Sequence, residues 1–161
     1  MKAVLDTSAI IYLQDFRKFE EIFTTNSVVA EVKDRISSLK LPALNAKILE
    51  PDKKFVNEVK DVAKKTGDLE KLSATDIEVL ALAKELNATL ISDDRNVQNV
   101  AERIGIAYVS LFSKKIKELF VWGKFCPGCK KFLDNKFAQC PICGSDLKRI
   151  PRKKSKIKKS S

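Results

Sequence analysis

Histidine is absent from all 161 residues. That removes imidazole acid–base chemistry, Ser-His-Asp triads and zinc sites with histidine ligands. Any catalysis must therefore use carboxylates, lysine, serine, cysteine or a bound metal. No apolar run approaches the roughly 18–20 residues that span a bilayer. The opening Met1-Lys2-Ala3-Val4-Leu5-Asp6 has too few apolar residues, and turns acidic too soon, for a signal peptide. The expected setting is cytoplasmic, with no membrane partner. Internal repeats are lacking apart from two cysteine knuckles, and the last fourteen residues contain no acid.

What is present suits a globular chain: 44% hydrophobic and 32% charged residues separate it from disordered polyelectrolytes. The length accommodates one domain of about 100–150 residues with a small satellite. Charge is uneven. Residues 1–113 carry 16 Lys/Arg against 18 Asp/Glu, whereas residues 114–161 carry 15 against 3, so the net +10 resides in the C-terminal third. A near-neutral body with a cationic appendage suits a polyanion, nucleic acid first. An anionic membrane surface fits less well, because no long apolar helical face accompanies the basic run.

Short apolar runs alternate with helical patterns over residues 1–111. Strands are expected at Lys2–Leu5, Glu21–Thr24, Ala46–Leu49, Ala88–Ser92 and Ile106–Leu111. Between them, helices are expected from Ala9 to about Leu13, Asn26 to Leu39, Asp52 to Lys65, Ser73 to Leu86 and Asp94 to Ile104. Such alternation predicts an α/β fold, a mostly parallel sheet with helices on both faces, whose functional groups collect beyond the carboxyl ends of the strands. Asp6 and the pair Asp93/Asp94 stand at two such ends. A linker is expected over residues 112–121, a cysteine module over 122–150 and a disordered basic tail over 151–161.

Cys126-Pro-Gly-Cys129 and Cys140-Pro-Ile-Cys143 form two C-x-x-C knuckles ten residues apart. Facing knuckles give a closed tetrahedral Zn–S₄ site, a structural zinc ribbon rather than a catalytic metal. Disulfides suit an intracellular chain poorly, and a redox pair would not need duplicating. Trp122, Phe125, Phe132 and Phe137 are expected to pack this small module. Lys130, Lys131, Arg149, Arg152, Lys153 and Lys154 are the cations expected to meet RNA phosphates.

Five acids stand out: Asp6, Glu31, Asp76, Asp93 and Asp94. Taken singly, each has an ordinary reading as a helix cap, a capping-box partner or a solvated side chain. Their surroundings argue otherwise. Asp6 follows an apolar strand, Glu31 interrupts Val28-Val29-Ala30-Glu31-Val32, and Asp76 precedes an apolar helix. Carboxylates buried together need a neutralising cation, and Mg²⁺ or Mn²⁺ prefers oxygen ligands. Such a site fits in-line phosphodiester hydrolysis that leaves a 5′-phosphate and a 3′-hydroxyl.

In order and context, Val4-Leu5-Asp6-Thr7-Ser8, Val28–Val32, Ser73-Ala-Thr-Asp76 and Leu90-Ile-Ser-Asp93-Asp94 resemble the four acidic motifs of PIN-domain nucleases. The stretch Ser92–Ala101, followed by a four-cysteine ribbon, resembles the ribosome-biogenesis endonucleases of archaea and eukaryotes that mature the 3′ end of small-subunit rRNA. The resemblance implies a PIN-like sheet over residues 1–111. It also implies Asp6, Asp76 and Asp94 as Mg²⁺ or Mn²⁺ ligands, with Glu31 and Asp93 in the catalytic cluster, and a substrate in the pre-ribosomal small subunit. Ser92 stands where the family usually has threonine; both supply a hydroxyl. The chain lacks the long insertions of eukaryotic members, which fits an archaeal-type form, and its many Lys and Glu residues would suit a thermophile. Competing readings are a toxin-type PIN ribonuclease, against which the ribbon argues, and a non-catalytic RNA-binding scaffold. A haloacid-dehalogenase-like phosphatase would need an acid where Ser8 stands, and a receiver domain an Asp after its third strand, where Glu50-Pro51 follows.

Overall fold

Lys2–Leu5 (β1) buries Ala3, Val4 and Leu5 completely, so both faces of this strand are covered, as a central parallel strand requires. The computed structural model describes residues 1–33, 40–112 and 116–157. Around β1 lie β2 (Glu21–Thr24), β3 (Lys47–Ile48), β4 (Thr89–Ile91) and β5 (Tyr108–Val109), in the order β3-β2-β1-β4-β5. Every neighbouring pair is parallel. Strand order runs outward in both directions from β1, so right-handed crossovers put helices on both faces. α1 (Thr7–Tyr12) packs with α2 (Asn26–Lys33) and α3 (Lys40–Ala43); α4 (Lys53–Thr66), α5 (Ala74–Glu85) and α6 (Arg95–Arg103) pack together.

These elements fall where the periodicity puts them, with shorter outer strands and with α3 added. Pro42 lies within α3, in a first helical turn where its missing N–H is tolerated. The end of the second expected helix, residues 34–39, lies outside the described residues. Among the described residues, no helix is long and apolar enough to cross a membrane.

The C-terminal third departs from the expected boundaries. β6 (Glu118–Cys126) begins inside the expected linker and pairs antiparallel with β7 (Lys131–Leu133) and β8 (Lys148–Lys156). Residues 151–156, expected as disordered tail, are thus a strand; residues 158–161 lie outside the described residues. The reason is pairing that composition does not report. β6 supplies main-chain partners from Glu118 to Phe125, and its rings lie beneath β8 cations. The Arg149 guanidinium sits 4.0 Å from the Trp122 ring centre, and Lys154 Nζ sits 5.5 Å from that of Phe120.

A buried polar network joins this ribbon to the body. Asp68, 0% exposed, accepts from Arg149 Nη2 at 2.8 Å and Asn99 Nδ2 at 2.6 Å. The Asn99 amide also brackets β6, donating to the Phe120 carbonyl at 3.0 Å and accepting from its N–H at 2.9 Å. Gly67 ends α4 with φ 74°, and a Cβ there would lie 2.5 Å from the Trp122 carbonyl oxygen. Only glycine allows both the left-handed turn and this close approach. Arg149, expected among the RNA-facing cations, is instead engaged within the chain. Asp68→Ala leaves the Arg149 guanidinium without its carboxylate and is expected to lower unfolding free energy by about 3 kcal/mol, as read from denaturant melts. A melt that matched the wild type would mean that the ribbon docks without this network.

Candidate active site

Three of the acids, Asp6, Asp76 and Asp94, gather because each also caps a helix that begins at the carboxyl edge of the sheet. Asp6 N-caps α1, its Oδ1 accepting from the Ala9 N–H at 2.6 Å and the Ser8 hydroxyl at 2.8 Å. Asp94 N-caps α6 through the N–H groups of Asn96 at 2.6 Å and Val97 at 3.2 Å. Asp76 closes a capping box at the start of α5, accepting from both the N–H and the hydroxyl of Ser73 at 2.8 Å. The capping reading and the cluster reading hold together: the caps fix where the carboxylates stand.

Asp6, Asp76, Asp93 and Asp94, with Thr7, Ser8 and Thr75, line one cavity of about 270 Å³. Among the described residues, no cationic or aromatic side chain lines it. Glu31 joins at the edge, its Oε2 accepting from the Thr7 hydroxyl at 2.5 Å. Burial pushes the Asp6 carboxyl above its ordinary value, against hydrogen bonds from Ser92, Ala9 and Ser8, and the Asp76 charge adds to the rise. Asp76 is raised in the same way, first by burial, with the charges of Asp94 and Glu31 contributing. The four acids therefore feel one another. Asp93 differs: its oxygens accept from the Ser110 hydroxyl, the Leu111 N–H at 3.2 Å and the Phe112 N–H at 3.1 Å, which ties the chain after β5 to the cavity wall.

The Ser92 hydroxyl, noted in the sequence only as the counterpart of a threonine, does the tying. Ser92, almost fully buried, hydrogen-bonds Asp6 and accepts from the Asp94 N–H at 3.2 Å; the Gln98 amide holds the Ser92 carbonyl at 3.0 Å. The place of Ser92 before two acids was legible in the sequence; its partners were not. The all-oxygen lining that the described residues supply fits a hard divalent ion, which would relieve the repulsion that burial strengthens.

The four cysteines form a second, different cluster. All four sulfurs lie within 4.8 Å of one another, with Cys126 and Cys143 at 3.5 Å and Cys129 and Cys140 at 3.8 Å. No disulfide forms among them. Tetrahedral Zn–S bonds of about 2.3 Å place sulfurs about 3.8 Å apart, so the spacing fits one zinc-sized ion. Lys130 (φ 56°) and Gly144 (φ 74°) close the two knuckles in left-handed turns. Hydrogen bonds from Ser145 hold the Cys143 thiol down to about 6, while the neighbouring Cys143 sulfur pushes Cys129 up to about 12, so the four sulfurs share one proton balance. Lys130, Lys131, Arg152, Lys153 and Lys154 are exposed on this module.

A carboxyl held above its unfolded value contributes stability that is complete below the ordinary value near 3.8 and is lost as pH rises through the raised one. With zinc bound and no other divalent ion present, the protein is expected to lose stability as pH climbs through this range. Asp6→Asn, which keeps a capping acceptor, should flatten the loss. Thermal melts across pH test this, and identical slopes for the two proteins would contradict a shared desolvation.

Comparison with known proteins agrees with this geometry. A family model described as the PIN domain of ribonuclease matches residues 3–86, and one described as a PINc domain ribonuclease matches residues 63–121. The chain is 45% identical over 159 residues to Endoribonuclease Nob1 of Pyrococcus abyssi, covering 95% of this chain and 96% of that one. It is 34% identical over 95 residues to the 20S-pre-rRNA D-site endonuclease nob1 of Schizosaccharomyces pombe, covering 56% of this chain and 24% of that one. The fold is similar to that of a PilT N-terminus domain protein from Sulfolobus solfataricus, with TM-score 0.50 and 22% identity over 68% of this chain and 87% of that one. With its acids lining one cavity and its cysteines in one knuckle pair, the chain belongs to the PIN-domain endoribonucleases of the Nob1 family.

Proposed function

We propose that this endoribonuclease acts in the cytoplasm on the small-subunit rRNA precursor, within the pre-ribosomal small subunit, and cuts it at its 3′ end. The observation that carries the reading is the convergence of Asp6, Asp76 and Asp94, from three distant segments, on one acid-lined cavity. The Schizosaccharomyces pombe relative, named for cutting 20S pre-rRNA, supports the substrate. Asp6, Asp76 and Asp94 would hold Mg²⁺ or Mn²⁺, with Glu31 steadied by Thr7 beside them. Such an ion, when bound, supplies Lewis acidity at a phosphoryl oxygen and lowers the pKa of a coordinated water.

The chain's own groups do the positioning. The helix caps keep the carboxylates from swinging, and Ser92 links Asp6 to the start of α6. Hydrolysis would add the water oxygen to phosphorus and break the P–O3′ bond. The proton from water ends on the 3′ oxygen, leaving a 5′-phosphate and a 3′-hydroxyl. Zn²⁺ at Cys126, Cys129, Cys140 and Cys143 would be structural, since four thiolates leave no open position. The exposed Lys130, Lys131, Arg152, Lys153 and Lys154 would meet RNA phosphates.

Two measurements test this. Asp6→Asn is expected to reduce Mn²⁺-dependent cleavage of a small-subunit rRNA precursor fragment by roughly 100-fold or more, with the fold retained by circular dichroism. Full activity in the variant would remove Asp6 from the site. Cys129→Ser is expected to release zinc to a chromophoric chelator and to unravel the ribbon while the five-stranded sheet persists. Undiminished zinc content would rule out the four-thiolate site.

A further inference from the structure

Among the described residues, nothing that lines the acidic cavity can grip RNA. Its lining is carboxylate and hydroxyl, so before a cation arrives it repels a phosphate and offers a base no apolar face. A base beside the cut needs a hold outside this lining, and two exposed rings stand nearby. Tyr12 ends α1, the helix that Asp6 opens, about 9 Å along the axis from that cap. Phe112 belongs to the segment whose N–H groups Asp93 binds, and Asp93 lines the cavity. The two rings meet edge to face, with centres 5.5 Å apart and planes at 81°.

Their exposure is unusual. Tyr12 is 55% exposed and Phe112 71%, the latter the highest among the exposed large hydrophobic side chains of the described residues. Core packing does not account for a phenylalanine so placed. The ribbon rings are already occupied by comparison. Trp122 lies between Phe120, 5.2 Å away, and the Arg149 guanidinium, and Phe132 meets Phe125 at 5.4 Å with Arg152 over its ring.

We propose that Tyr12 and Phe112 form a stacking platform for a nucleobase flanking the scissile phosphodiester, with Asp93 as the residue that positions it. This rests on the reading of the acidic cavity as the nuclease centre. Aromatic faces accept any base, so the platform supplies affinity and places the strand without reading its sequence. The three hydrogen bonds from residues 110–112 give Asp93 a task distinct from that of its neighbour Asp94: it couples the base-holding rim to the phosphate-holding floor. Single-stranded RNA is the ligand this arrangement fits, because a base inside a duplex has both faces covered by its stacked neighbours.

The test is steady-state cleavage of a small-subunit rRNA precursor fragment with Mn²⁺. Phe112→Ala is expected to raise KM about tenfold with a much smaller change in kcat, and Phe112→Trp to restore it. Tyr12→Ala should act in the same direction. An abasic residue flanking the cut should reproduce the loss in the wild type and add nothing in Phe112→Ala. Asp93→Ala should raise KM in the same direction, and the Asp93→Ala/Phe112→Ala double variant should lose little more than Phe112→Ala alone. An unaltered KM in Phe112→Ala, or additive abasic and variant losses, would overturn the platform; KM losses that multiply in the double variant would overturn the positioning role. A wild-type protein that cleaves nothing would overturn the nuclease reading instead, so the two failures are distinguishable.

Discussion

Carboxylates brought together away from water repel one another, and the site described above depends on how that repulsion is contained. Asp6, Asp76 and Asp94 are each tied to the N-terminal turn of a helix, and those turns open at the same edge of the parallel sheet. Each cap contributes on the order of 1 kcal/mol to its helix, so the helices hold the acids as firmly as the acids hold the helices. What remains uncompensated is the burial and mutual charge that raise Asp6 and Asp76. A hard divalent ion is the natural complement to that excess, and the fold has built the demand for one before any substrate arrives.

Much of this was legible in the residues. Strands with no polar outlet, such as Lys2–Leu5, had to be central, and an acid directly after such a strand had to lie at the sheet's carboxyl edge. The C-x-x-C spacing carried the ribbon with equal clarity. Less legible were the contacts made by single polar residues across long sequence distances. Asp68 reads as an ordinary loop acid after a helix-stopping glycine, yet it is fully buried because Arg149, eighty-one positions later, reaches it. The basic C-terminal run looked incapable of ordering because composition counts what a segment can bury alone. β6 supplies both the main-chain partners and the aromatic faces the run lacks. Asp93 and Asp94 are adjacent and chemically identical, and only coordinates show that one caps α6 while the other holds the chain after β5.

The two modules divide the work by ligand chemistry. Oxygen donors at the sheet edge suit a hard ion that exchanges water and phosphate; four thiolates suit a softer ion that stays put. The Asp68–Arg149–Asn99 network fixes the ribbon and its exposed cations relative to the acidic edge. On the proposed reading, RNA held by the basic face would meet the acidic edge at a set distance, a constraint that a freely tethered ribbon would not impose.

The most direct measurement is paramagnetic broadening of backbone amide signals by Mn²⁺ added in small amounts to the zinc-loaded protein. Convergence of the carboxylates predicts that the signals of Asp6, Thr7, Asp76 and Asp94 disappear first and together, while those of the cysteine knuckles and of surface acids such as Glu20 and Asp134 persist. Broadening spread evenly over the surface acids, or centred away from the sheet edge, would contradict the account.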